Sequence, residues 1–585
     1  MRPDKMLEKK NWSKYIILIF LTLTSHGTYS QTFYKGVDLS YVNELEDCGV
    51  RYLDKDGKEA EVYGIFEANG ANIVRLRLWH NPAWTNYSNL TDVKKSIKRA
   101  KDLGMEVLLD FHYSDFWTDP GRNWRPAVWE EIEDDAVLSD SLYNYTYHTL
   151  SELNEEGLLP EMVQIGNETN GNILIKREGI DIGNGTPNLY PINWARQSML
   201  FNNALKAVTD LESILEKEIQ TMIHIANAES AESWFANASQ NGVADYDIIG
   251  LSYYPQWHNQ DVRELGDYVA FFKETYNKEV MIVEVGYPWT SAGSGDAANN
   301  VLGGPSKLST YDDFSPEVQA QFLTELTWLV KENGGAGVIY WEPAWVSSSC
   351  QTYWGTGSHW DNATLFDFEN KPHAGMDFLS YDYTTKPDGL KEQEITFKVN
   401  MEGVSDINDV FVTGDFTGEG DWQFLPMEGK ESDIYELKTT IPGRSSGAYI
   451  FYKNNDWVVE YREIVPDACA NFWNTHRYYL VKNSPVEFNF AWGSCTTAVN
   501  ELPLNLDGIS KNEIIRVFPN PVVNELFINE GINIQSAVLM DAMGRTVPIK
   551  MENNTIDMGA FSNGIYFLKL DTDEGSQTIK ILKND

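Results

Sequence analysis

The chain has 585 residues, too many for one hydrophobic core, so at least three domains are expected. Its formal charge of −40 excludes nucleic acid and anionic membrane surfaces as partners and leaves room for a neutral ligand. Aromatic residues make up 13% of the chain, with 19 Trp, a composition suited to stacking on flat ligand faces.

Residues 1–30 carry Arg2, Lys5, Lys9, Lys10 and Lys14 ahead of the apolar run Tyr15-Ile-Ile-Leu-Ile-Phe-Leu-Thr-Leu, followed by small and polar residues. This is the pattern of a secretory signal peptide, with the mature chain expected to begin near Gln31 and to contain no transmembrane segment. Export permits disulfides, and the four cysteines fall as Cys48 with Cys350 and Cys469 with Cys495. The second pair is the expected bridge, because both members lie in one small β-rich region. Either pair could also be free buried thiols.

From residue 31 to 385 apolar runs alternate with amphipathic segments. The expected strands are Lys35–Leu39, Ile73–Trp79, Met105–His112, Met162–Glu168, Thr221–Ala226, Ile248–Tyr254, Val280–Glu284 and Gly337–Trp341. Among the intervening segments, Asp92–Leu103 puts Val93, Ile97 and Ala100 on one helical face and its basic residues elsewhere. Eight strands close a (β/α)8 TIM barrel, and no Gly-rich phosphate loop follows the first strand to favour an open doubly wound sheet.

Two of these runs end in glutamate: Met162-Val-Gln-Ile-Gly-Asn-Glu168 and Val280-Met-Ile-Val-Glu284. A carboxylate where a parallel strand stops lies at the face on which barrel enzymes keep their chemistry, and two of them suggest glycoside hydrolysis. Asn167, directly before the first, is placed to bond the sugar hydroxyl beside the reacting carbon. Other strand ends supply candidate substrate-binding residues: Asp38, Arg75, Arg77, His112, Asp115, Trp117, Tyr253, Trp257 and Trp341. One of Arg75 and Arg77 is expected to face into the barrel, where it would help keep a nucleophilic carboxylate ionised. Neither His-Glu-x-x-His nor Cys-x-x-Cys spacing is present to suggest catalytic zinc, and no cofactor is required.

Past Trp360 the alternation of strand and helix stops, and residues 381–390 read as a linker. Residues 394–497 are short alternating runs separated by Gly, Asn and Asp, the pattern of an antiparallel sandwich, with Trp422, Trp457, Trp473 and Trp492. A second linker, 498–511, precedes a last all-β segment, 512–585. The architecture expected is therefore a barrel followed by two small all-β sandwiches.

Six segments carry a family resemblance: Lys35-Gly-Val-Asp-Leu-Ser, Arg75-Leu-Arg-Leu-Trp-His-Asn-Pro, Leu109-Asp-Phe-His-Tyr-Ser-Asp-Phe-Trp-Thr-Asp-Pro-Gly, Gln164-Ile-Gly-Asn-Glu-Thr-Asn-Gly, Ile249-Gly-Leu-Ser-Tyr-Tyr-Pro-Gln-Trp-His and Tyr340-Trp-Glu-Pro-Ala-Trp. In order at six strand ends, over about residues 33–380, they resemble glycoside hydrolase family 53, the endo-β-1,4-galactanases of hydrolase clan A. The resemblance implies a retaining endo-hydrolase of the β-1,4-galactan in pectic type I arabinogalactan, with Glu168 as acid/base and Glu284 as nucleophile; separately, a monomer is expected. Bacterial members of that family often carry a structural calcium between the loops after the last two barrel strands, for which Asp296, Asn300, Ser358 and Asp361 are the candidate ligands here; the alternative is a solvated polar loop. One departure is the pair Val285-Gly286, where a Thr or Ser is expected beside the nucleophile. It should leave the chemistry intact and alter the adjoining subsite.

The sandwich runs Val410-Phe-Val-Thr-Gly-Asp-Phe-Thr and Ala448-Tyr-Ile-Phe-Tyr-Lys resemble starch-binding modules, and the domain is read either as a sugar-binding accessory or as a spacer whose tryptophans are core. The last segment, from Ile514-Ile-Arg-Val-Phe-Pro-Asn-Pro521 through Asp541-Ala-Met-Gly-Arg545 to Lys580-Ile-Leu-Lys, resembles the type A sorting domain of the type IX secretion system. That implies the type IX machinery as a partner and a secreted or outer-membrane-surface location in a Gram-negative bacterium. The competing readings are another clan A endo-glycosidase, such as a mannanase or cellulase, and a non-catalytic surface glycan-binding protein.

Overall fold

Eight parallel strands, β1 (Tyr34–Asp38), β2 (Ile73–Leu78), β3 (Glu106–Phe111), β4 (Met162–Ile165), β5 (Gln220–Ala226), β6 (Ile248–Tyr253), β7 (Glu279–Val285) and β8 (Gly337–Tyr340), pair in sequence, and β8 pairs with β1 to close a barrel. The computed structural model describes residues 32–177 and 189–496, apart from 419–421, 431–432 and 471–474, and most of 517–583. The signal-peptide reading, the linker 498–511, Trp473 and the tail motifs Pro519-Asn-Pro521 and Gly544-Arg545 lie outside the described residues.

The barrel interior is layered by chemistry. At its lower end Ile73, Leu108, Met162, Met222, Met281 and Ile339 are buried together. Further along, the same inward rows carry Asp38, Arg75, Asp110, Gln164 and His224, all buried. Gly36 makes room for this closure, because a Cβ there would stand 2.6 Å from Ile73 Cγ2. The helices outside follow their sequence signals. In Leu90–Asp102 the cap is Asn89, which accepts from Asp92 N, and Val93, Ile97 and Ala100 are buried as the periodicity predicts.

Both cysteine pairs are bridged. Cys48–Cys350 spans 302 residues of sequence and ties the helix after β1 to the long loop after β8; Cys469–Cys495 closes a loop in the sandwich.

Residues 392–491 form two four-stranded sheets over a core that includes Ile395, Phe397, Val412, Tyr449 and Val481. Trp492 packs against this core, whereas Trp457 is 54% exposed. The sandwich is pinned to the barrel through the turn between strands Ile434–Pro442 and Ser445–Tyr452. There Arg444 is buried, with Nε 2.8 Å from Glu325 Oε2 and its guanidinium 4.0 Å from the centre of the Tyr311 ring. Arg263, in the helix after β6, donates to the carbonyl of Gly443. A third unit, residues 517–583, has two further four-stranded sheets around Leu526, Leu539, Ile556 and Leu568. Among the described residues no helix is long and apolar enough to cross a membrane.

Candidate active site

At the carboxyl end of the barrel a cleft of about 510 Å³ is lined by residues from all the barrel loops, among them Asp38, Arg75, Arg77, His112, Trp117, Asn167, Glu168, Tyr254, Trp257, Glu284 and Trp341. Trp345, Trp354 and Trp360 complete an aromatic wall. Of these, Trp257 is 52% exposed and so presents a free face to a ligand.

Glu168 and Glu284 arrive in this cleft by two backbone irregularities. Strand β4 ends at Ile165, three residues short of the expected boundary; Gly166 (φ 84°) turns the chain, and Glu168 itself adopts φ 44°, in the left-handed region that a non-glycine residue rarely occupies. On β7 the pairing with β6 skips Val283: Leu251 faces Ile282, and Ser252 faces Glu284. This one-residue bulge re-aims the strand, so that Glu284 points into the barrel instead of outward with Ile282. A carboxylate oxygen of each glutamate and one ring nitrogen of His224 all lie within 4.8 Å of one another.

Arg75 organises the floor of the cleft. Its Nη1 is 2.9 Å from Asp38 Oδ2 and 3.0 Å from Glu284 Oε1, its Nη2 donates to Asp110 Oδ2 at 2.9 Å and Asn167 Oδ1 at 2.7 Å, and its Nε donates to Gln164 Oε1. The hydroxyl of Tyr254 donates to the other Glu284 oxygen at 2.9 Å. Glu168 instead accepts from Ser252 Oγ at 2.6 Å, and among the described residues no guanidinium is paired with it. The two carboxyls therefore sit in different fields. Burial pushes Glu284 up to about 7, against the pull of Arg75 and the Tyr254 hydrogen bond. Burial and then the charge of Glu284 raise Glu168 well above its ordinary 4.5. One group is thus disposed to ionise first and the other to keep its proton, an arrangement that permits acid and nucleophile to coexist at one pH.

Several sequence expectations need correction. Arg75 and Arg77 both face into the barrel, because residues two apart on a strand share a face. Arg77 pairs with Glu342 at 3.3 Å and lies 4.1 Å above the Trp117 ring, holding that ring in the cleft wall. Tyr253 does not reach the site: its buried hydroxyl donates to Gln260 O, and its neighbour Tyr254 takes the position on Glu284. Asp115 is a loop brace, accepting from the backbone of Asn81 and Ala127, each at 2.8 Å. His112 lines the cleft, but both ring nitrogens are engaged, by Asp110 and Thr118. Asp110, Gln164 and Ser252 were missed, although a lone polar residue inside an apolar strand, as in Val107-Leu-Leu-Asp110, is the signal that would have found them.

Gly286 has a structural reason. A Cβ at this position would lie 2.4 Å from Trp360 Cζ2, so the absent side chain is what lets Trp360 enter the cleft wall. On the loops after β7 and β8, Asp296 is occupied by Ser347 Oγ and the amides of Ala298 and Ser358, Ser358 Oγ donates to Trp345 O, and Asn300 Nδ2 reaches Ala292 O. Asp361 Oδ1, Asn362 Oδ1 and Ser294 Oγ are buried there without a hydrogen-bond partner. These are oxygens of the hard type that calcium takes.

Comparison with known proteins follows the same division of the chain. The family model described as glycosyl hydrolase family 53 matches residues 34–379, and one described as a secretion system C-terminal sorting domain matches 516–584. An arabinogalactan endo-beta-1,4-galactanase of Cellvibrio japonicus is 47% identical over 375 residues, covering 64% of this chain and 97% of that protein. An endo-beta-1,4-galactanase of Bacillus subtilis is 32% identical, covering 60% and 86%. Among solved structures, a fungal beta-1,4-galactanase superposes with a TM-score of 0.51 at 31% identity, covering 60% of this chain and 99% of that one. The family 53 catalytic domain of Ignisphaera aggregans gives 0.53 at 29% identity, covering 60% and 96%.

Proposed function

The chain belongs to glycosyl hydrolase family 53, and from that premise we propose that it is a retaining endo-hydrolase of β-1,4-galactan, the main chain of pectic type I arabinogalactan. The similarity to galactanases over nearly their whole length supports the substrate. The observation that supports the mechanism is the approach of the two carboxylates: one oxygen of each lies within 4.8 Å of the other, a spacing nearer the roughly 5–5.5 Å between groups of a direct nucleophile than the about 6.5–9.5 Å of inversion.

In this reading Glu284 attacks the anomeric carbon as the glycosidic C–O bond breaks, and Glu168 gives its proton to the departing oxygen. A galactosyl ester of Glu284 results. Glu168, now a carboxylate, takes a proton from water; the oxygen of that water bonds to the anomeric carbon and Glu284 leaves, restoring both groups. Asn167, fixed through Oδ1 by Arg75 and through Nδ2 by Thr118 O, is set to meet the neighbouring sugar hydroxyl. Trp257 and Trp354, the exposed tryptophans of the cleft, supply stacking faces for the chain of sugars. Asp361, Asn362 and Ser294 are the residues that would hold a calcium ion, which would supply a tie between the loops after β7 and β8.

Replacement of either glutamate by Gln tests the assignment. Galactan turnover, read as reducing ends, should fall by roughly 10²–10⁴-fold in each variant without loss of fold. Azide added to Glu284→Ala should restore cleavage and give the α-glycosyl azide. Near wild-type turnover in either Gln variant sinks the proposal.

A further inference from the structure

We propose that Ser252 and His224 are positioning residues that fix where Glu168 carries its proton, an inference that rests on the role of Glu168 given above. The three residues form a closed circuit. The backbone N–H of Glu168 points at His224 Nδ1 at 3.3 Å, His224 Nε2 lies 2.9 Å from Ser252 Oγ, and Ser252 Oγ lies 2.6 Å from Glu168 Oε1. His224 and Ser252 are both fully buried.

The direction of each bond follows from which atoms can only donate. A backbone N–H cannot accept, so His224 Nδ1 is the acceptor, and the amide of Gln164 lies 3.1 Å from the same nitrogen. Gln164 gives its amide hydrogens to Asp110 Oδ1 and Gly166 O, and Asn167 Oδ1, 3.0 Å away, accepts from Arg75 Nη2, so it is the backbone N–H of Glu168, aimed at Nδ1, that assigns the tautomer. Burial, reinforced by the nearby Arg75 charge, keeps the ring neutral, well below its ordinary 6.5. The single ring proton is then on Nε2 and is given to Ser252 Oγ. Ser252 has one hydrogen left, and it goes to Glu168 Oε1.

This assignment has a chemical consequence. Because Oε1 permanently accepts from Ser252, the acidic proton of Glu168 is confined to Oε2, which has no hydrogen-bond partner among the described residues. Proton delivery to the leaving oxygen, and later removal of a proton from water, both pass through that one oxygen. The hydroxyl also stabilises the carboxylate form, opposing burial and the charges that face Glu168, namely Glu284 and Asp119, while Arg75 acts in the same sense as the hydroxyl. Tyr254, on Glu284, stays neutral, raised by burial and by both glutamates.

Ser252→Ala should therefore raise the alkaline limb of the kcat/KM profile on galacto-oligosaccharide by roughly one unit, the size of one hydrogen bond to a charged group. Turnover at neutral pH should drop about tenfold while KM changes less than about twofold, because the base form of Glu168 is harder to reach and its proton is no longer confined. His224→Leu should shift the limb in the same direction, and His224→Gln, which keeps a donor near the position of Nε2, should shift it less. Cleavage of a dinitrophenyl galactobioside, whose leaving group needs no proton, should keep its wild-type kcat/KM in all three variants. An unmoved alkaline limb in a folded Ser252→Ala or His224→Leu protein overturns the proposal, as does equal loss on the dinitrophenyl substrate. Wild-type turnover in Glu168→Gln would overturn the acid/base reading itself, which is a separate outcome.

Discussion

Arg75 Nη1 stands 3.0 Å from Glu284 Oε1, whereas Glu168, in the same cleft, has a serine hydroxyl at 2.6 Å and, among the described residues, no cation paired with it. The fold thus opposes a charge on both carboxyls, and opposes it less on Glu284, which Arg75 and Tyr254 face, than on Glu168. Because burial raises both above the ordinary 4.5, each stabilises the fold while protonated. That contribution is complete below pH about 4.5 and is lost as pH rises through about 7 for Glu284 and higher for Glu168. Glu168→Gln removes one of these ionisations. Its melting temperature relative to wild type should climb between pH 5 and pH 8, by roughly 2 °C or more if about 1 kcal/mol is involved. A difference in melting temperature that is flat with pH would show that ionisation of Glu168 does not strain the fold.

Gly286 is where the chain departs from its expected Ser or Thr, and Trp360 fills the space. Gly286→Ser should push the indole out of the wall at a stability loss of about 1–3 kcal/mol. KM for galactan should rise several-fold with kcat nearly unchanged, since the displaced ring belongs to the cleft wall and touches neither carboxylate. Steady-state kinetics and a thermal melt together read both effects.

Arg444 joins the sandwich to the barrel through a buried pair with Glu325. Arg444→Ala leaves that carboxylate buried without its partner, a loss of about 3–5 kcal/mol. Calorimetry should show unfolding of the barrel and sandwich shifting down or separating, with faster proteolysis in 381–391. Adding Glu325→Gln to the variant should recover much of the loss, because the buried charge is then gone.

The C-terminal unit matches a secretion sorting domain and has its own core, so its loss should not open the barrel. Mature protein recovered outside the cell is expected to end before residue 514, which mass spectrometry of the secreted enzyme would show. Fusion of 512–585 to an unrelated periplasmic protein should carry it across the outer membrane in a host with type IX machinery. Retention of the fusion in the periplasm, with native enzyme exported, would assign the tail a different role.

What the sequence determined by itself was the order of parts and the chemistry at the strand ends. Eight apolar runs of strand length separated by amphipathic segments, with no Gly-rich phosphate loop after the first, favoured a closed parallel barrel over an open doubly wound sheet, and alternation within a strand is local, so Asp38, Arg75 and Trp341 could be assigned to the mouth. Alternation loses its meaning where the backbone stops being regular. The left-handed turn at Glu168 and the skipped Val283 before Glu284 set the directions of the two carboxylates, and both depend on packing with neighbouring strands. The same limit explains why Tyr254 and not Tyr253 reaches Glu284, why Asp115 turns away to brace a loop, and why Gly286 has a Trp for its neighbour. Each of these is a contact between segments far apart in the chain, and only the closed tertiary structure decides which of them meet.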